Sequence, residues 1–242
     1  MDRANIRAII IDIEGTVTPV SFVTTVLFPY AREHLPAFIA ANQDAPEVAH
    51  ALAEARALLG EGDFPLELLS ARLIQWIDED HKATPLKALQ GFVWREAYEN
   101  GAFVAPIFPD VAGSLQAWNE QGKLLCVYSS GSVDAQQLLF RHTSSGDLLP
   151  LFHDVFDTRA GAKVVTESYT GIAVTLGLHP SRCLFLTDNA AEVAAAQGAG
   201  WQVIRIDREV PALSHVTIER DGLVATSFED VATWLNRNQS PL

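Results

Sequence analysis

Four short apolar runs rich in branched residues, at 6–11, 123–128, 182–186 and 202–206, each too short for a core helix, constrain the fold more than any other feature. Runs of this length without polar alternation suit parallel strands covered on both faces. Helical periodicity fills the intervals at 110–121, 133–141, 163–176 and 189–198, and a last helix is expected at 228–236. Strands alternating with helices imply a doubly wound α/β core with a mostly parallel, Rossmann-like sheet. The first three runs end in polar clusters, "DIEGT", "SSGS" and "TDN". Ligands bind outside the carboxyl ends of parallel strands, so these clusters are expected to converge on one crevice.

The interval between the first two runs is far too long for a simple crossover. Apolar residues recur there at three and four spacing, as in Val48, Leu52, Ala55 and Leu59, and Pro and Gly punctuate the joints. Helices are expected at 26–41, 45–59, 64–80 and 86–100. Residues 21–103 therefore read as an all-helical cap domain inserted into a core made of 1–20 and 104–242. Phe22, Trp94 and Tyr98 can line an apolar wall within it or simply fill its core.

Seventeen basic residues face 30 acidic ones, a net charge of -13, which argues against nucleic acid as a partner. An anionic substrate then needs concentrated positive charge, such as a metal ion. Cys126 and Cys183 sit in apolar runs and read as buried thiols. No apolar stretch reaches the roughly 18 residues of a membrane span and the N-terminus lacks a signal-peptide core. The expectations are a cytoplasmic monomer with no membrane partner.

The polar clusters carry the chemistry. On extended backbone Asp12 and Glu14, two apart, point to one side, and a hard cation such as Mg²⁺ answers both their repulsion and the charge of a phosphate. Asp12 can then attack phosphorus; an acidic turn that caps a helix is the competing reading. Ser129, Ser130 and Gly131, between a strand and a helix, suit a phosphate oxyanion or a plain N-cap. Lys163, at the start of a helix, can balance an aspartate and a phosphoryl group, although most lone lysines are solvated. Asp188 can complete a metal site, with Glu192 four residues on as a further ligand or support, or the pair can cap a helix.

An Asp-x-Glu, a Ser, a Lys and an Asp in this order at successive strand ends resemble the four motifs of the haloacid dehalogenase superfamily. "IDIEGTVTPVSFV", "YSSGSVDAQQLLF", "KVVTESYTGIA" and "FLTDNAAEVAAA" resemble its enolase-phosphatase (acireductone synthase) family of methionine salvage more closely still, as does the cap segment "QGFVWREAYENGAFVAPIFPDV". Val17, Ala97 and Asn189 depart from the family's usual residues without removing a proposed catalytic group.

The resemblance implies a hydrolase with one Mg²⁺ per subunit and a small phosphate ester as substrate. Asp12 is implied as nucleophile and metal ligand, with Glu14 and Asp188 as further metal contacts. Ser129, Ser130 and Gly131 would bind the phosphate, Lys163 would offset charge, and Glu192 and Thr16 would sit behind these groups. Glu14 stands where most of the superfamily has an Asp that protonates the leaving oxygen. Its ordinary pKa is about 4.3 against about 3.9, so reach changes more than acidity. The implied reaction enolises 2,3-diketo-5-methylthiopentyl 1-phosphate and then hydrolyses the enol phosphate to an acireductone through an aspartyl phosphate. A helical lid would shield such species from water. A broad sugar-phosphate phosphatase and a non-catalytic phosphoacceptor are the alternatives.

Overall fold

A computed structural model describes residues 5–60, 64–210, 215–219 and 222–236. The chain divides into two compact units, Met1–Val20 with Ala105–Leu242, and Ser21–Val104.

The first unit is built on a seven-stranded sheet ordered β3-β2-β1-β4-β5-β7-β6. Its strands are β1 (Ala8–Ile11), β2 (Leu124–Tyr128), β3 (Asp154–Phe156), β4 (Cys183–Thr187), β5 (Gln202–Ile206), β6 (Thr217–Glu219) and β7 (Gly222–Ala225). All neighbours pair in parallel except β6 with β7. Every residue of β1 and β4 is buried, which is why these segments read as unbroken apolar runs. One face packs Ile10, Tyr128, Tyr169, Phe185 and Trp201 into a core, and each such side chain contributes ~1.5–3 kcal/mol by leaving water.

After β1 the chain builds β2 and β3 on one side, then returns to place β4 and β5 on the other. This reversal beside β1 opens a crevice at the carboxyl ends of the strands. Register is fixed there: Ile11 lies opposite Val127 on one side and Leu186 on the other. Asp12, Ser129 and Asp188, each one residue beyond its strand, are thereby brought to one end of the sheet.

The helices of this unit are α6 (Val111–Glu120), α7 (Val133–Arg141), α8 (Thr166–Thr175), α9 (Ala190–Gly198) and α10 (Phe228–Asn236). The sequence expectation started α8 three residues early, since residues 163–165 precede the helix, and it missed β3, β6 and β7. The expected strand at 6–11 starts at Ala8, although Arg7 already pairs at 2.9 Å with Arg182 and Leu124 through its backbone.

The second unit is helical: α1 (Val20–Phe22), which starts at the last residue of the first unit before the crossing, leads through a π-turn (Val23–Leu27) into α2 (Phe28–Asn42), followed by α3 (Pro46–Leu59), α4 (Leu66–Asp78) and α5 (Thr84–Glu99). Its core gathers Leu35, Ile39, Leu52, Leu69, Leu73 and Leu89. Phe22, Tyr30 and Tyr98 stack edge-on around Phe103, and the Trp94 indole donates to the Leu27 carbonyl at 2.8 Å. These aromatics thus pack inside the helical unit. No helix among the described residues is long and apolar enough to cross a membrane.

Both cysteines are free and buried, Cys126 on β2 and Cys183 on β4. Burial pushes each thiol up to about 12. A thiol-reactive reagent at pH 8 is therefore expected to find no reactive thiol in the native chain and both thiols after denaturation; rapid native reaction would contradict this packing.

Candidate active site

Strand β1 ends at Ile11, and the backbone then folds into a tight turn. The Asp12 amide still donates to Leu186 O at 2.9 Å, but the amides of Thr16, Val17 and Thr18 converge on the Ile13 carbonyl at 3.3, 2.8 and 3.0 Å. Asp12 is buried, its Oδ1 accepting from the Ile13 amide at 2.8 Å, whereas Glu14 is exposed and forms an isolated bridge with Thr18. The turn itself is made by Gly15 to Val17, bracketed by the paired Glu14 and Thr18.

Gly15 makes the turn possible. Its φ of 69° is left-handed, and a Cβ there would lie 2.1 Å from Asp188 Oδ2. The carboxylate beyond β4 thus rests directly against the backbone of the turn beyond β1.

Lys163 approaches from the segment before α8. Its carbonyl accepts from the Tyr169 hydroxyl at 2.6 Å, which fixes the backbone from which the side chain starts. The residue is 7% exposed, so it is not the solvated lysine of the competing reading. Its ammonium lies 2.5 Å from Asp12 Oδ1 and 2.8 Å from Glu192 Oε2. Burial alone would make this ammonium easier to deprotonate, but the carboxylates of Asp12 and Glu192 outweigh it and hold the lysine above its ordinary range.

Glu192 is buried on α9, and the Thr187 hydroxyl donates to its Oε2 at 2.7 Å. Its Oε2 is thus shared between the Thr187 hydroxyl and the Lys163 ammonium. Burial first, then the Asp12 charge, raises its carboxyl, and the same two causes raise that of Asp188. The carboxylates of Asp12, Asp188 and Glu192 against one ammonium leave an excess of two negative charges.

On the β2 side, the buried Ser129 accepts from the Gly131 amide at 3.3 Å through Oγ, and its own amide donates to Phe156 O at 3.2 Å. The Gln136 amide group ties Gly131 O (2.7 Å) to Phe156 O (3.0 Å), bracing the loop. Ser130 is exposed. The cap of α7 is Ser132, which accepts from the Ala135 amide, so neither Ser129 nor Ser130 is consumed as an N-cap. Asn189 likewise caps α9 in place of Asp188. Thr16 is wholly buried, and its hydroxyl finds no hydrogen-bond partner among the described residues.

Two contributors escaped the sequence reading. Thr187, the last residue of β4, places its hydroxyl 3.3 Å from Asp12 Oδ2 as well as on Glu192. A hydroxyl closing a buried strand beside an acid was its available signal. Arg208, two residues past β5, reaches the Thr16 carbonyl at 2.8 Å, and nothing local in "RIDREV" announces that contact.

The chain belongs to the haloacid dehalogenase-like hydrolases, whose family model matches residues 6–200. Within that class it belongs with the enolase-phosphatases, as the motif resemblance implied. It is 52% identical over 202 residues to enolase-phosphatase E1 of Thioalkalivibrio sulfidiphilus, covering 84% of this chain and 90% of the relative. The enolase-phosphatase E1 of Methylococcus capsulatus is 50% identical over 204 residues, with 84% and 90% covered. Among solved structures, the UTR4 protein of Saccharomyces cerevisiae matches with a TM-score of 0.77 at 32% identity over 93% of this chain and 99% of that one. A Xanthobacter autotrophicus L-2-haloacid dehalogenase with chloropropionic acid covalently bound shares the fold, with a TM-score of 0.55 at 16% identity over 96% and 99% of the two chains.

Replacing Gly15 by Ala forces Cβ into the Asp188 carboxylate. Since a displacement of about 1 Å in a catalytic constellation can cost about 100-fold, Gly15→Ala is expected to lower turnover of a phosphate ester by ~100-fold. Wild-type steady-state rates in this variant would disprove the close approach.

Proposed function

We propose that this chain converts 2,3-diketo-5-methylthiopentyl 1-phosphate into the acireductone 1,2-dihydroxy-3-keto-5-methylthiopentene and phosphate, with Asp12 as nucleophile and Mg²⁺ as cofactor. Membership of a hydrolase family removes the non-catalytic phosphoacceptor alternative. The observation that carries the residue assignment is the buried Lys163–Asp12 contact at the end of the central strand, with Asp188 against the same turn.

The donors present suit a hard cation. Asp12 and Asp188 supply carboxylate oxygens, the main-chain carbonyl of Glu14 supplies a third, and the excess negative charge favours a divalent ion. Among the described residues no group of three His, Cys, Asp or Glu side chains is poised for a metal. A set that includes a main-chain oxygen does not require one. When bound, Mg²⁺ supplies charge stabilisation to the transferring phosphoryl group.

The remaining work belongs to the chain. Lys163 and the Ile13 amide both hold Asp12 Oδ1, orienting the carboxylate for attack on phosphorus while the ammonium offsets charge as the phosphoryl group transfers. Ser129 and Ser130 bind the phosphate oxygens. The P–O bond to the ester oxygen breaks as the aspartyl phosphate forms, and water then attacks its phosphorus to free Asp12 and release phosphate. The exposed Glu14, with the longer reach of a glutamate, protonates the leaving oxygen and activates the water. Enolisation precedes these steps: a base takes the proton from the carbon bearing the phosphate ester, and the C–H electrons move toward the adjacent carbonyl oxygen. Glu14 is our candidate for that base.

Asp12→Asn is expected to abolish phosphate release from the diketone phosphate, and chelation of Mg²⁺ to abolish it reversibly. A chelator-insensitive rate, or turnover of sugar phosphates equal to that of the diketone, would refute the assignment. Glu14→Gln should slow enol formation, followed spectroscopically, and phosphate release, each by ~100-fold or more if general acid–base catalysis is lost. Unchanged rates for both would remove Glu14 from the mechanism.

A further inference from the structure

The turn that carries Asp12 is held from behind by a residue far away in sequence. Arg208 donates to the Thr16 carbonyl through Nη2 at 2.8 Å and Nε at 3.3 Å. Its Nη1 reaches both Asp110 oxygens, at 2.9 and 2.8 Å, and the Thr226 carbonyl at 3.1 Å. The guanidinium lies 4.3 Å from the Phe108 ring centre and 5.3 Å from that of Phe228. Asp110 is anchored in turn, accepting from the Phe228 amide at 2.6 Å. The Arg208 and Asp110 side chains are 10% and 11% exposed, so this is a nearly buried ion pair with its donors committed to particular acceptors.

We propose that Arg208 is a positioning residue for the nucleophile, acting on Asp12 through the Thr16–Val17 peptide; this rests on reading Asp12 as the nucleophile. The link is a short chain of bonds. A peptide unit is planar, so fixing its carbonyl fixes its N–H. The carbonyl of this unit is held by Arg208, while its N–H, on Val17, donates to the Ile13 carbonyl at 2.8 Å. The Ile13 amide donates to Asp12 Oδ1, also at 2.8 Å. Arg208 thus sets the plane that sets Ile13, and Ile13 orients the reacting carboxylate through Oδ1, the oxygen that Lys163 also holds. Glu14 lies within the same braced segment.

Arginine chemistry is specific to this task. A lysine can pair with Asp110, but it offers a single point charge without a fork, so it cannot grip Thr16 O, Asp110 and Thr226 O together while keeping a planar cation beside the Phe108 and Phe228 rings.

The test compares Arg208→Lys, Asp110→Asn and the packing variant Val231→Ala, whose side chain is buried on α10. Thermal midpoint, kcat, KM for the phosphate ester and Mg²⁺ affinity by titration calorimetry are measured for each. Arg208→Lys is expected to lower kcat ~100-fold, to shift KM by less than about twofold, and to weaken Mg²⁺ binding severalfold. Val231→Ala should lose comparable thermal stability with wild-type kcat and Mg²⁺ affinity. A folded Arg208→Lys with wild-type kcat and Mg²⁺ affinity overturns the proposal, and so does an equal kcat loss in Val231→Ala.

If Arg208→Lys yields no folded protein, Asp110→Asn decides. Loosening the anchor should lower kcat and Mg²⁺ affinity in the same direction by a smaller factor, and wild-type values overturn the proposal. Failure of the functional reading is seen separately, as a wild-type chain that releases no phosphate; Mg²⁺ calorimetry on the variants still tests the positioning role.

Discussion

A protonated lysine buried between two carboxylates sets the terms for everything around it. Removing an ammonium and two carboxylates from water costs several kcal/mol per ion, recovered only when geometry is tight and remaining donors are used. Lys163 therefore needs Asp12 at the end of β1, Glu192 on α9, and its own backbone pinned by Tyr169. Three elements that are distant in sequence are made interdependent by one charge. Loss of one partner from such a cluster costs ~3–5 kcal/mol, because the charge left behind stays buried.

That arrangement explains why the central strands carry so much apolar bulk. Ile9 to Ile11 and Leu184 to Leu186 are fully buried, so the point at which each chain emerges is set by packing on both faces. A low-dielectric floor also strengthens each polar contact above it. Rigidity and electrostatic strength thus share one origin. The enolase-phosphatase reading adds that the same floor supports two reactions in succession, a proton abstraction and a phosphoryl transfer, on one set of fixed groups.

The central strands and the groups beyond them were legible because buried parallel strands show as unbroken branched runs and the polar clusters mark where they end. The edge strands were not. β3 and β6 are three residues long, and β3 is only partly buried, so neither presents a periodic pattern. Arg208 was invisible for another reason: its partner Thr16 lies 192 residues away and no local periodicity encodes such a contact, whereas Thr187 was marked only by its place at the end of a buried strand beside an acid. Lys163 follows a small-residue loop in the sequence, but nothing local signals that Asp12 and Glu192 close over its ammonium.

The chain leaves the first unit after Val20 and re-enters it at Ala105. Just inside those crossing points the Thr18 hydroxyl donates to the Pro106 carbonyl at 2.5 Å, and the Phe108 amide donates to the Val17 carbonyl at 3.0 Å. The two ends are thus fastened by the first unit's own bonds. Seen from the sheet, residues 21–104 form a loop whose closure is already secured, and the entropy of closing a loop grows only slowly with its length. The junction works as a socket: inserts of different size and sequence can be accommodated there over evolutionary time while the residues beneath it keep their places.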